Sequence, residues 1–199
     1  MQILYVHGKG GSAWEAEHYK ALFPYAEIMG LDYQTFSPWE TGKEIKTAIE
    51  SLREKSDDVR LIANSIGAFF SMNANIEKFI QRAYFISPIV DMEKLIMNMM
   101  AWAHVTESEL ESRGIIHTEF GEDLSWRYLT YVRDNPISWE VQTQILYGEK
   151  DNLTSLETMR EFVRTHNAEL TIMEKGEHWF HTEEQMQFLD DWIKGCQDK

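Results

Sequence analysis

The sequence predicts an α/β fold, a mostly parallel sheet of about six strands flanked by helices. Three observations carry this. Short apolar runs rich in Ile, Leu, Val, Tyr and Phe alternate with longer amphipathic runs along most of the 199 residues. The short runs are dense rather than strictly alternating, as strands buried on both faces are. Helix starts recur between them as S/T-x-x-E/Q signatures, and this alternation of element types belongs to the α/β class.

In chain order, the expected strands are Ile3–His7, Glu27–Leu31, Val59–Ala63, Ala83–Ser87, Thr143–Tyr147 and Leu170–Glu174. Capping-box spacing places helix starts at Ser12-x-x-Glu15, Thr41-x-x-Glu44, Thr106-x-x-Glu109, Thr154-x-x-Glu157 and Thr182-x-x-Gln185. At each, the side-chain oxygen can accept a backbone N–H that the first helical turn leaves unpaired. After Thr182, the apolar stripe Met186, Leu189, Trp192 and Ile193 predicts a terminal helix packed on the sheet. One stretch breaks the alternation. Residues 88–139 carry no convincing strand but hold Met92, Met97, Met99, Met100, Trp102, Trp126, Tyr128 and Tyr131. It is expected to be a helical lid inserted into a single domain spanning 1–199. Its methionines could line a pocket for apolar ligands or simply pack the lid.

Composition narrows the function. At 43% hydrophobic and 13% aromatic residues the chain can build a core rather than remain disordered. A formal net charge of −14 repels nucleic acid, and no basic stripe overrides it. The single cysteine, Cys196, allows no intrachain disulfide, which fits a reducing cytoplasm. The first residues lack the basic and apolar regions of a signal peptide, and no apolar run approaches a membrane span. A cytoplasmic protein acting on a small molecule is expected, with no membrane insertion and no nucleic-acid partner.

The chemistry-bearing motif is Ala63-Asn64-Ser65-Ile66-Gly67, between a β-branched run and a helical one. Small-x-Ser-x-Gly in that context reads as a nucleophile elbow, a sharp turn that lifts the serine Oγ above the sheet. Only small residues fit two positions before and after the serine, which accounts for Ala63 and Gly67. The usual pattern has glycine at both. His7-Gly8-Lys9-Gly10-Gly11-Ser12 follows the first strand. Its spacing matches neither the phosphate-binding nor the dinucleotide-binding glycine pattern. Its backbone N–H groups suit an oxyanion instead, with Lys9 supplying one donor and Ile66 the other. Asp151, in Tyr147-Gly148-Glu149-Lys150-Asp151, stands just beyond a strand, where it can orient a histidine. Gly176-Glu177-His178-Trp179-Phe180-His181 follows the last strand. His178, nearer the strand end, is the preferred base and His181 its competitor. A metal site from His178, His181 and Glu183 or Glu184 lacks the H-E-x-x-H spacing, so no metal and no cofactor are expected.

The order Ser65, Asp151, His178, each after a strand, is the order of the α/β-hydrolases. The chain resembles that family over essentially its whole length. The resemblance implies a Ser65–His178–Asp151 triad, an oxyanion hole from Lys9 and Ile66, and a cap after the strand that ends near Ser87. It also implies a trimmed sheet, because the glycine-rich loop here follows the very first strand, whereas family members begin with an antiparallel pair. The expected activity is hydrolysis of a small, largely apolar carboxylic ester through an acyl-enzyme. A thioesterase or C–C bond hydrolase would use the same triad, and a binding protein that kept the fold without the chemistry is the remaining alternative.

Overall fold

The structure, a computed structural model, describes residues 1–197. These residues divide into two compact units, 1–90 with 138–197 and 91–137.

The larger unit is built on six strands: β1 (Gln2–Val6), β2 (Glu27–Gly30), β3 (Val59–Asn64), β4 (Arg82–Ile86), β7 (Thr143–Gly148) and β8 (Ala168–Met173). Every neighbouring pair is parallel and the order is β2-β1-β3-β4-β7-β8. This is the six-stranded, trimmed sheet that the family resemblance implies, here parallel throughout, with strand ends moved by one or two residues. The order reverses at β1, because β2 lies on one side of it and β3 on the other. Loops leaving β1 and β3 therefore part above the sheet, and open α/β sheets bind ligands at such a point.

The helices of this unit are α1 (Ala16–Lys20), α2 (Pro38–Arg53), α3 (Ile66–Met72), α7 (Leu156–Thr165) and α8 (Glu183–Cys196). The strand period of two sends alternate residues to opposite faces. Ile3, Tyr5, Ile62, Tyr84 and Leu146 join one core with Tyr19 and Phe23 around α1, and with Leu189 and Ile193 of α8. Helices α2 and α3 pack on β1 and β3. They supply Ile45, Ile49 and Phe69 to cover the alternate positions Leu4, Val6, Leu61 and Ala63, all fully buried. Both faces are thus covered, which is why these strands read as continuous apolar runs.

Capping boxes form at Ser12, Thr106 and Thr182. The expected starts at Thr41 and Thr154 are wrong. Helix α2 begins at Pro38, whose fixed φ suits the first helical position, and the Ser37 hydroxyl reaches Glu40 at 3.0 Å. Thr41 is buried inside the helix and donates to the Thr35 carbonyl. For α7 the cap is Ser155, which accepts from the Thr158 N–H, while Thr154 is buried with its N–H on Asp151 at 3.0 Å and its hydroxyl toward the Pro88 carbonyl at 3.4 Å.

The smaller unit contains α4 (Met92–Trp102), α5 (Glu107–Arg113), α6 (Trp126–Asp134) and an antiparallel pair, β5 (Ile115–His117) with β6 (Asp123–Ser125). The pair corrects the expectation that residues 88–139 hold no strand. Each of its strands is three residues long, too short for an alternation signal. Gly121, at φ +84°, turns the chain between them. Arg133 of α6 binds Glu107 through two guanidinium nitrogens and Glu93 through a third, tying the helices of this unit together.

Candidate active site

Ser65 sits between the end of β3 and the start of α3 with φ 50° and ψ −121°, a conformation that side chains rarely adopt. Two backbone bonds hold it there. Its N–H donates to the Ile86 carbonyl at 3.0 Å, and its carbonyl accepts from the Ile89 N–H at 3.1 Å. Tight packing requires the glycine two residues on. A Cβ at Gly67 would lie 2.5 Å from the His7 carbonyl oxygen and 2.6 Å from that of Val6. The elbow therefore presses directly on the end of β1, and the glycine-rich loop that follows β1 runs beside the serine. A Cβ at Gly8 would stand 3.1 Å from that of Ser65.

The loops after β7 and β8 are joined along their backbones. Glu149 donates to the Met173 carbonyl at 3.0 Å and Lys150 to that of Gly176 at 2.8 Å. Gly148 permits this approach, because a Cβ there would come within 2.4 Å of the Glu177 carbonyl oxygen. The joined loops bring Asp151 to His178, whose Nδ1 lies 2.7 Å from Asp151 Oδ2. The other oxygen, Oδ1, accepts the N–H groups of Leu153 and Thr154 at 2.8 and 3.0 Å. The Asp151 side chain is fully buried, so its orientation is set by these three contacts. His178 Nε2 then lies 2.8 Å from Ser65 Oγ. Serine, histidine and aspartate form one unbroken chain of hydrogen bonds.

The competitor histidine is placed differently. His181 Nδ1 donates to the Trp179 carbonyl at 2.7 Å, and its ring stacks on the Trp179 indole at 4.5 Å. Of the two backbone donors expected at the oxyanion, Ile66 is the first residue of α3, so its N–H belongs to the group that a helix leaves without an internal partner. Lys9 lies in the loop after β1 and lines the same cavity as Ser65. That cavity holds about 660 Å³. Its apolar lining includes Ile86, Trp179, Phe180, Met186 and Leu189. Its polar lining includes Tyr5, Glu15, His18 and Asn64.

This polar lining is what sequence reasoning missed. Tyr5 reads as strand core, Glu15 as a capping residue and Asn64 as the variable position of the elbow. Their convergence depends on the β1–β3 pairing, which no local pattern reports. Among the described residues, no group of three His, Cys, Asp or Glu could hold a metal ion, and no helix is long and apolar enough to cross a membrane.

The fold is that of the α/β-hydrolases. The chain is similar to alpha/beta hydrolase domain-containing protein 10 from mouse, at 14% identity and TM-score 0.77 over 99% of this chain and 89% of that one. It is similar to Est1E from Butyrivibrio proteoclasticus, at 14% identity and TM-score 0.70 over 98% and 86% of the two chains. A serine hydrolase involved in carbazole degradation, the CarC enzyme, aligns at 10% identity and TM-score 0.62 over 100% and 90%. At these identities the likeness is one of fold. No protein-family model matches the sequence, and no curated protein does.

Proposed function

We propose that the protein is a serine hydrolase cleaving a small, largely apolar carboxylic ester. The observation that carries the reading is the contact of Ser65 Oγ with His178 Nε2 at 2.8 Å, backed by Asp151 at 2.7 Å. In this reading Ser65 Oγ attacks the acyl carbonyl while His178 Nε2 takes its proton. The negative oxygen that forms is received by the backbone N–H groups of Lys9 and Ile66. Collapse of the tetrahedral species expels the alcohol, which leaves with the proton from His178. Water, deprotonated in turn by His178, then attacks the acyl-serine, releases the acid and restores the Ser65 hydroxyl. Asp151 holds the proton of His178 on Nδ1 and stabilises the imidazolium in both halves of the cycle.

Strain supports the same reading. A serine at φ 50° costs on the order of 1–3 kcal/mol, and such residues cluster at functional sites. The cavity volume falls in the range of small-molecule sites, and its apolar lining residues suit a hydrocarbon acyl or alcohol group. The unit of residues 91–137 enters the chain between β4 and β7, where the family resemblance implies a cap.

The test is turnover of a panel of short-chain carboxylic esters, with matched thioesters and β-diketones. The expected result is ester hydrolysis that vanishes in Ser65→Ala while the fold is kept. Turnover by Ser65→Ala at the wild-type rate would overturn the assignment, and preference for a thioester or diketone would redirect it.

A further inference from the structure

The polar lining of the cavity has an asymmetry in its hydrogen bonding. Tyr5 OH donates its only proton to Glu15 Oε2 and accepts from Asn64 Nδ2 at 2.9 Å. Burial, with Tyr19 and Glu15 close by, drives the Tyr5 phenol well above its ordinary range, so it remains a neutral donor committed to the carboxylate. The donors of Tyr5 are therefore spent within the wall. Acceptors remain. Glu15, an exposed residue, takes only the Ser12 N–H on Oε1, at a long 3.2 Å, whereas Asn64 Oδ1 is buried without a partner behind it. Among the described residues, no Lys, Arg or His nitrogen lies within ion-pair distance of Glu15. The nearby His18 is itself engaged with Asp190 at 2.7 Å. An unpaired carboxylate thus lines the same cavity as Ser65, and Asn64 is the residue that immediately precedes that serine.

We propose that the Glu15–Tyr5–Asn64 wall is a specificity subsite for a protonated amine, so that the substrates are esters carrying a primary ammonium group on a short apolar chain. This rests on the serine-hydrolase reading and names its substrate class. An ammonium supplies donors and no acceptor, which matches the Glu15 Oε1 acceptor that the wall leaves open. Its charge matches Glu15, and bonds between an ammonium and a carboxylate are stronger than neutral ones. The net charge of −14 also raises the concentration of cations at the surface. Met186 and Leu189, in the lining of the same cavity, offer apolar surface to the methylenes between the ammonium and the ester. Glu15 is held by the turn Ala13–Glu15 and by the Tyr5 hydroxyl, so its position is fixed before a ligand arrives.

The experiment compares two isosteric substrates, ethyl 4-aminobutanoate and ethyl pentanoate, with wild type and Glu15→Gln. Binding of pentylammonium and of pentan-1-ol is measured by calorimetry alongside. Wild type is expected to favour the amino ester roughly tenfold or more in kcat/KM, and pentylammonium over pentanol by a similar factor. Glu15→Gln should lose both preferences, the ratio of kcat/KM for the two esters and the ratio of binding for the two ligands each falling to near one. Equal turnover of the two esters by wild type, or equal binding of the two ligands, would overturn the subsite. Should Glu15→Gln fail to fold, the wild-type comparison of pentylammonium with pentanol decides alone. The two readings separate cleanly: pentylammonium bound tightly by a protein that cleaves neither ester keeps the subsite and sinks the hydrolase, whereas ester turnover without amine preference does the reverse.

Discussion

Asp151→Asn is the perturbation whose outcome is most sharply set by geometry. Asn retains an oxygen that can keep the N–H groups of Leu153 and Thr154, at 2.8 and 3.0 Å, so the loop after β7 should hold its shape. The amide nitrogen then takes the place of Oδ2, 2.7 Å from His178 Nδ1. Being a donor, it favours the tautomer with Nδ1 bare and the proton on Nε2. That proton faces Ser65 Oγ at 2.8 Å, where an acceptor is needed. The proposed base is lost without loss of the imidazole. The same exchange in a serine protease triad lowers kcat by about 10⁴, and the same factor is expected here. At 1.36 kcal/mol per decade this is about 5.4 kcal/mol of barrier. Stability should change little, because one buried hydrogen bond is traded for another of opposite direction. The assay is ester turnover at neutral pH, with thermal unfolding alongside. Turnover within about tenfold of wild type in a folded Asp151→Asn protein would refute the orienting role of Asp151.

Three further outcomes follow from the site. Ser65→Gly should abolish turnover yet unfold at a higher temperature than Ser65→Ala, because glycine adopts a φ of 50° without the strain that alanine keeps, a difference of roughly 1–2 kcal/mol; equal midpoints in calorimetry would contradict this. Gly67→Ala places a methyl 2.5 Å from the His7 carbonyl oxygen, so β1 or α3 must move, at roughly 2–3 kcal/mol in denaturant unfolding, with turnover falling as the elbow shifts; unchanged unfolding would mean the contact relaxes freely. His178→Ala should remove turnover, whereas His181→Ala, whose ring stacks on Trp179 instead of meeting Ser65, should change it by less than about tenfold; the reverse ranking of the two rates would make His181 the base.

The sheet was readable because burial on both faces leaves a dense apolar signature, and each strand end was then fixed by a glycine or a polar residue. The meeting of Ser65, Asp151 and His178 was foreseeable for a related reason. Each stands just beyond such a strand, and parallel strands bring their ends to one edge. Two helix starts were misplaced because capping signatures overlap. Ser37-x-x-Glu40 and Thr41-x-x-Glu44 both fit, and Pro38 decides between them. Thr154 is buried with its N–H on Asp151, 3 residues earlier, and its hydroxyl toward the Pro88 carbonyl, contacts that no helix rule includes. The β5–β6 pair was invisible because three-residue strands carry no period. The polar wall was hidden for a tertiary reason. Tyr5 and Asn64 are far apart in sequence and meet only because β1 and β3 are neighbours, with Val6 set against Ala63.

Covalent labelling tests the proposed nucleophile most directly. Native protein is treated with a fluorophosphonate, its intact mass is measured, and the adduct is mapped by peptide sequencing. One adduct at Ser65 is expected, absent from Ser65→Ala and formed far more slowly in His178→Ala. A folded protein that takes no label, or takes it at another residue, would contradict the assignment of Ser65 as a nucleophile activated by His178.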